Sequence, residues 1–83
     1  MKIEIKMQRL RPGMESGVLC RWNIAPGSTI APGDVMYEIE TDKVVTEIEA
    51  DKALRVTELV VDEGDEVKCG DVIAIAETVS DDL

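Results

Sequence analysis

The stretch EIETDKVVTEIEA, Glu38 to Ala50, places two alternating runs on either side of Asp42-Lys43. Successive side chains of a strand point to opposite faces, so a chain that reverses at Asp42-Lys43 gathers Tyr37, Ile39, Thr46 and Ile48 on one inward face. The reversal also sets a register in which Thr41 opposes Val44, Glu40 opposes Val45, Ile39 opposes Thr46, Glu38 opposes Glu47 and Tyr37 opposes Ile48. The other face then carries Glu38, Glu40, Glu47 and Glu49. Direct opposition of Glu38 and Glu47 costs up to about 1 kcal/mol, which is tolerable where water solvates both carboxylates. Asp-Lys lacks the glycine preferred by mirror-image turns, so the sequence favours a type I turn with right-handed residues at the tip and leaves a one-residue slip of register open.

The same period-two alternation recurs outside this hairpin. It appears at Ile3-Ile5-Met7, Val35-Tyr37-Ile39, Val56 to Val61 and Val72 to Ile75, with shorter runs at Val18-Leu19 and Thr29-Ile30, and apolar residues do not recur at helical spacing. Turn signals separate the runs at Pro12-Gly13, Pro26-Gly27, Pro32-Gly33-Asp34, Glu63-Gly64-Asp65 and Gly70-Asp71. Valine, isoleucine and threonine supply 23 of the 83 residues and phenylalanine is absent, so the core is aliphatic, with Trp22 and Tyr37 as its only aromatics. A chain of this length supports one core, and the pattern predicts a single all-β domain.

Charge and composition exclude several classes of function. The net charge of −9 comes from 18 acids against 9 bases, which is opposite to the basic footprint of a nucleic-acid binder. The N-terminal MKIEIKMQRL alternates charged and apolar residues without the apolar centre of a secretory signal, and no stretch has the length of a membrane span. The expectation is an intracellular protein without a membrane partner. Cys20 and Cys69 have neither CxxC spacing nor histidine neighbours, which reads as two free structural thiols. With no histidine at all and no nucleophile beside a recognisable base, the chain does not read as an enzyme in its own right.

A shift of 37 residues lays the sequence on itself. Gly27 meets Gly64, Gly33-Asp34-Val35 meets Gly70-Asp71-Val72, Glu40-Thr41 meets Glu77-Thr78, and Ile24 and Ile30 meet Val61 and Val67. Two copies are too few to stack as a solenoid, so each half buries its apolar face against the other as a flattened barrel or sandwich of two quasi-symmetric antiparallel sheets. The same shift carries Asp42-Lys43 to Val79-Ser80, at the chain's end. A two-fold relation between the halves therefore puts the termini at one pole and the lysine turn at the other. Residues 1–79 form the domain on this reading, and 80–83 begin a linker or a frayed C-terminus.

Lys43 admits two interpretations. It is either an ordinary surface lysine among acids that discourage edge pairing, or an amine held out for covalent attachment of a carried group. The residues around it resemble a known family: Glu40-Thr41-Asp42-Lys43-Val44 is similar to the ETDK[AV] attachment motif of lipoyl domains in the acyltransferase (E2) component of 2-oxo acid dehydrogenase complexes. Met7 to Leu10, Met14 to Val18 and Trp22 resemble that family's first strand and GxxxxW region, and Gly27, Gly33-Asp34 and Gly64-Asp65 resemble its EGDxVxxGD turns. The chain departs from the family pattern at Gln8, often proline, at Ser28, commonly aspartate, and at Leu54-Arg55, usually Gly-Val.

The resemblance implies lipoate amide-linked to Lys43 as a swinging arm, with Glu38, Glu40, Thr41, Asp42, Val44 and Glu47 as recognition residues around it, joined by Glu49 in the acidic face. It implies as partners a lipoate ligase or lipoyl transferase, an E1 decarboxylase that reductively acylates the arm, the E2 core that passes the acyl group to coenzyme A, and an E3 dihydrolipoyl dehydrogenase that reoxidises it. The domain would carry rather than catalyse, as a monomer, in bacterial cytoplasm or mitochondrial matrix. Acids around the lysine would steer partners electrostatically. A biotin carrier domain is the nearest rival, although its lysine is usually flanked by methionines as in AMKM. A lipoyl-like structural module that leaves the lysine unused is another.

Overall fold

Eight strands account for most of the computed structural model, which describes residues 2–79. They are β1 (Lys2–Lys6), β2 (Ser16–Trp22), β3 (Thr29–Ile30), β4 (Val35–Thr41), β5 (Val44–Glu49), β6 (Leu54–Leu59), β7 (Glu66–Lys68) and β8 (Val72–Thr78). The first sheet has the order β1-β8-β6-β3 and the second β5-β4-β2-β7, with every pairing antiparallel. The reading of 80–83 as a linker lies outside the described residues.

The internal repeat is realised strand by strand. β2, β3 and β4 are the counterparts of β6, β7 and β8, whereas β5 matches β1, so each sheet combines strands from both halves of the chain. Equivalent backbone hydrogen bonds recur across the repeat. Gly27 N–H donates to Val56 O and Gly64 N–H to Leu19 O, both at 2.7 Å. Val56 N–H donates to Ser28 O at 2.8 Å, and Leu19 N–H to Asp65 O at 2.9 Å. Gly27 and Gly64 adopt φ of 92° and 94°, a region open to glycine without steric cost. The departure at Ser28 is conservative in function: its Oγ accepts from Ala25 N–H at 3.1 Å, as Asp65 Oδ2 accepts from Asp62 N–H at 2.9 Å.

One strand escaped the alternation analysis. β7 spans only Glu66–Lys68 and buries a single apolar residue, Val67, too short a run to signal a strand by periodicity. The repeat carries the missing information, since Val67 aligns with Ile30 of the still shorter β3.

The inward faces of the sheets meet in one aliphatic core, whose fully buried members include Leu19, Ile39, Val56 and Ile73. Tyr37 is buried at its centre. Half-buried Trp22 meets it edge-on, with ring centroids 5.7 Å apart and an interplanar angle of 66°, and donates from Nε1 to Val61 O at 2.9 Å. A bulge between Val35 and Tyr37 lets adjacent Met36 and Tyr37 both turn inward.

The poles are distinct. Lys2 pairs with Glu77, and Val79 N–H donates to Ala53 O at 3.4 Å. Ala53 follows closely on Ala50, which caps the base of the β4–β5 hairpin through Ala50 N–H to Asp34 O at 2.8 Å. The described ends of the chain therefore sit beside the base of that hairpin, away from its tip.

Candidate functional site

The β4–β5 hairpin has the register derived from its sequence, from Thr41 opposite Val44 through Glu38 opposite Glu47 to Tyr37 opposite Ile48. Its tip differs from the type I expectation. Asp42 and Lys43 have φ of 49° and 66°, so both central residues are left-handed, as a type I′ turn requires. The reason is the right-handed twist of the paired strands, which a two-residue mirror-image turn matches and a type I turn would splay. Strand pairing thus overrides the local reluctance of a lysine to enter the left-handed region, and the strain is stored at the tip.

Contacts from below fix the tip. Gly17 of β2 lies beside β4 in the same sheet, where an added Cβ would stand 2.7 Å from Ile39 Cγ2 and 3.1 Å from both Met7 Cε and Thr41 Cγ2. From the side, Arg11 forms an ion pair with Asp42 through Nη2 and Oδ2. Arg11 belongs to the β1–β2 loop, which is cross-linked internally: Arg9 Nε–H donates to Met14 O at 3.1 Å, and Met14 N–H to Arg11 O at 3.3 Å. Met14 is buried and anchors the loop to the core. Between loop and turn lies an open groove of about 440 Å³, lined by Arg11, Met14, Ser16, Thr41 and Asp42 among others.

Lys43 is exposed, as are its neighbours Asp42 and Val44, while Thr41 is half-buried against Gly17. Glu40, Glu47 and Glu49 are exposed on the outer face. Glu38 is half-buried, opposite Arg21 on one side and Glu47 on the other, and accepts from Asn23 Nδ2 at 3.2 Å. An exposed amine on a braced turn is a nucleophile that another protein can reach without the domain unfolding. The residues singled out from the sequence thus form one hairpin. Arg11 and Gly17 were missed, because Arg11 meets Asp42 across 31 positions and the close approach over Gly17 has no local sequence signature.

Other chemistry is muted. Burial raises the Cys20 thiol pKa, helped by the charge of Glu38 and more weakly by Glu40 and Glu63, against a lowering backbone hydrogen bond, so the thiol is a poor nucleophile. Cys20 and Cys69 are both free. Among the described residues no group of acids and cysteines is arranged to hold a metal ion, and no helix is long and apolar enough to cross a membrane.

Comparison with known proteins covers nearly the whole chain. The Biotin_lipoyl family, described as "Biotin-requiring enzyme", matches residues 3–75. The dihydrolipoyllysine-residue acetyltransferase component of the pyruvate dehydrogenase complex of Zymomonas mobilis is 38% identical over 84 aligned positions, covering 100% of this chain and 19% of that protein. The pyruvate dehydrogenase E1 component subunit beta of Rhizobium meliloti is 41% identical over 76 positions, covering 90% of this chain and 16% of that protein. Among solved structures, the lipoyl domain of the 2-oxoglutarate dehydrogenase complex of Azotobacter vinelandii superposes with a TM-score of 0.77 at 29% identity, covering 94% of this chain and 99% of that one. The chain thus spans less than a fifth of the curated relatives above and nearly all of an isolated lipoyl domain. With its hairpin lysine, its two quasi-symmetric sheets and these matches, the chain belongs to the Biotin_lipoyl family as a lipoyl domain, a carrier rather than a catalyst.

Proposed function

We propose that Lys43 is the attachment site and that lipoate is joined to its Nζ by an amide bond. The observation that carries this reading is the exposed lysine at the second central position of a type I′ turn, braced by Gly17 below and Arg11 at the side. Lipoate, once attached, supplies a dithiolane that carries acyl groups and reducing equivalents. The chain's own residues do the rest. The turn keeps the root of the arm fixed and clear of the core, the paired strands keep the domain folded while the arm enters other active sites, and Glu38, Glu40, Asp42, Glu47 and Glu49 give the approach a negative field that speeds association with basic surfaces.

On this reading the partners are a lipoate ligase or lipoyl transferase, an E1 decarboxylase, an E2 acyltransferase core and an E3 dihydrolipoyl dehydrogenase. Of the relatives named above, one is an acetyltransferase component of the pyruvate dehydrogenase complex and one a pyruvate dehydrogenase E1 component subunit beta, so the complex served and the larger chain that bears the domain belong to the same proposal. The domain acts as a monomer comprising residues 1–79, in bacterial cytoplasm or mitochondrial matrix. The biotin alternative is not favoured: Asp42 and Val44 flank the lysine where a biotin carrier usually has methionines, and the lipoyl domain described above matches at 29% identity over 94% of this chain.

The test is intact mass after incubation with lipoate, ATP and a lipoate ligase. Wild-type protein gains one lipoyl group, and Lys43→Ala gains none while keeping its β-sheet circular dichroism. Moving the lysine to position 42 or 44 impairs modification, since the ligase reads the turn. Lipoyl gain in Lys43→Ala, or equal rates at all three positions, would refute the assignment. An unmodified Lys43 in the folded wild-type domain would establish the structural-module reading instead.

A further inference from the structure

Because both sheets share one architecture, residues related by the repeat occupy equivalent places, and a difference between them belongs to the surface rather than to the fold. On the outer face of the second sheet Glu38 stands between Arg21 and Glu47, and Asn23 Nδ2 donates to it at 3.2 Å. The counterparts on the first sheet are Ile75 between Glu58 and Glu4, with Val60 in the place of Asn23. The backbone repeats too: Val60 N–H donates to Ile73 O at 2.8 Å, as Asn23 N–H donates to Met36 O at 2.9 Å.

From the second sheet to the first, the arginine becomes an acid, the central acid becomes isoleucine and the amide becomes valine. Val60 is 48% exposed, Ile75 is half-buried, and half-buried Val72, opposite Lys6, extends the apolar strip toward the start of β8. Glu4 and Glu58 are exposed, and among the described residues neither makes an ion pair or a side-chain hydrogen bond. The second sheet carries polar side chains at the positions of Val60 and Ile75, so the apolar ones are not a demand of the fold. An exposed apolar strip rimmed by unpaired charge has the composition of an interaction site. An occupant of this face leaves the β4–β5 hairpin uncovered, because the hairpin belongs to the other sheet.

We propose that Val60, Val72 and Ile75, with Glu4 and Glu58 at their sides, form a docking surface for a basic amphipathic helix of a partner protein. Charge complementarity names the occupant: an aliphatic side chain set between two lysines or arginines covers Ile75 and meets both carboxylates. Spacing selects a helix. Glu4 and Glu58 flank Ile75 on neighbouring strands and so stand about 10 Å apart, two strand spacings. Helix residues i and i+7 share a face about 10.5 Å apart with i+3 and i+4 between them, whereas same-face residues of a strand recur at about 7 Å and 13 Å. The inference is independent of what Lys43 carries.

The probe is a synthetic stapled helix of about 18 residues, with lysines at i and i+7, leucines at i+3 and i+4, and alanine and glutamine elsewhere. A control peptide of the same composition carries its lysines on the face opposite the leucines. Each is titrated into the isotope-labelled chain and followed by backbone amide chemical shifts. The expected shifts cluster at residues 4, 58–60 and 72–75 and approach saturation by about 1 mM probe, with the control bound roughly tenfold or more weakly. Val60→Asn/Ile75→Glu gives the patch the residues of the second sheet and weakens binding roughly tenfold or more, although its added negative charge would strengthen attraction by net charge alone. Glu58→Arg, an exchange at one exposed position, gives a similar loss and serves if the double variant folds poorly. The inference is overturned if the shifts gather at residues 42–49, if the control binds equally well, or if the variants stay within about twofold of wild type. Shifts at the patch on concentrating the chain alone would make a second copy the occupant and overturn the helix, as would the absence of any shift at about 1 mM probe.

Discussion

Arg11 and Asp42, 31 positions apart, form an ion pair that ties the β1–β2 loop to the apex of the β4–β5 hairpin. Both side chains are well exposed, at 48% and 80%, so the contact orients more than it stabilises. Arg11→Ala is therefore expected to lower stability by less than about 1 kcal/mol, an effect that disappears in roughly 1 M salt. Backbone NMR relaxation at residues 10–13 and 42–43 checks the orienting role: these amides gain fast motion in the variant while the strands do not.

Gly17 carries a heavier structural duty. A methyl group there would overlap Ile39 and crowd Met7 and Thr41, one strand and a loop that share the space near the turn. Gly17→Ala is expected to destabilise by about 1–3 kcal/mol through overpacking, measured by denaturant unfolding. The loss is expected to be accompanied by chemical-shift changes at the hairpin tip rather than at the opposite pole.

The left-handed lysine implies a trade between stability and function. Lys43→Gly converts the tip to Asp-Gly, a preferred type I′ pair, and relieves a conformation that costs a side-chain-bearing residue about 1–2 kcal/mol. Part of that gain is offset by the greater freedom of glycine in the unfolded chain. The expected outcome is a melting temperature equal to or above wild type, with no lipoyl gain. Unfolding at lower temperature would show that the lysine side chain contributes contacts that outweigh the strain.

Tyr37 offers a prediction in pH. Its buried hydroxyl makes no hydrogen bond among the described residues. Burial pushes the phenol pKa up, with the nearby backbone of Gln8 opposing the shift without meeting hydrogen-bond geometry. A raised pKa means that the folded state keeps its proton where the unfolded state has released it, so stability is full below about pH 10 and falls as pH rises above it. Tyr37→Phe removes an unsatisfied buried group and is expected to be neutral or more stable by about 1 kcal/mol at neutral pH, with a weaker loss in alkali. Parallel denaturant titrations at the two pH values check both parts.

Much of this molecule is legible in its sequence because its information is local and written twice. Alternation in Val35–Thr41 and Val44–Glu49 fixes the hairpin register, since a slip of one would turn Ile39 and Ile48 to water. The repeat joins the halves and locates the poles. Illegible were the features that arise from pairing at a distance. The type I′ conformation of Asp42-Lys43 follows from sheet twist rather than from residue preference, and the bracing by Arg11 and Gly17 depends on where a loop crosses a strand.

The interleaving of the two halves bears on where a tether would leave the domain. Where β4 turns back into β5 at Lys43, the equivalent strands β8 and β1 meet without a covalent link, as Lys2 lies opposite Glu77. The ends of the domain are in effect an opened hairpin. A circular permutant that closes them with a short turn and opens the chain elsewhere would keep all eight strands in place, and the tether would then leave the molecule from whichever loop was cut. The distance between such a tether and the Lys43 amine is thus a property of connectivity alone, free to change without disturbing the sheets that hold the lysine.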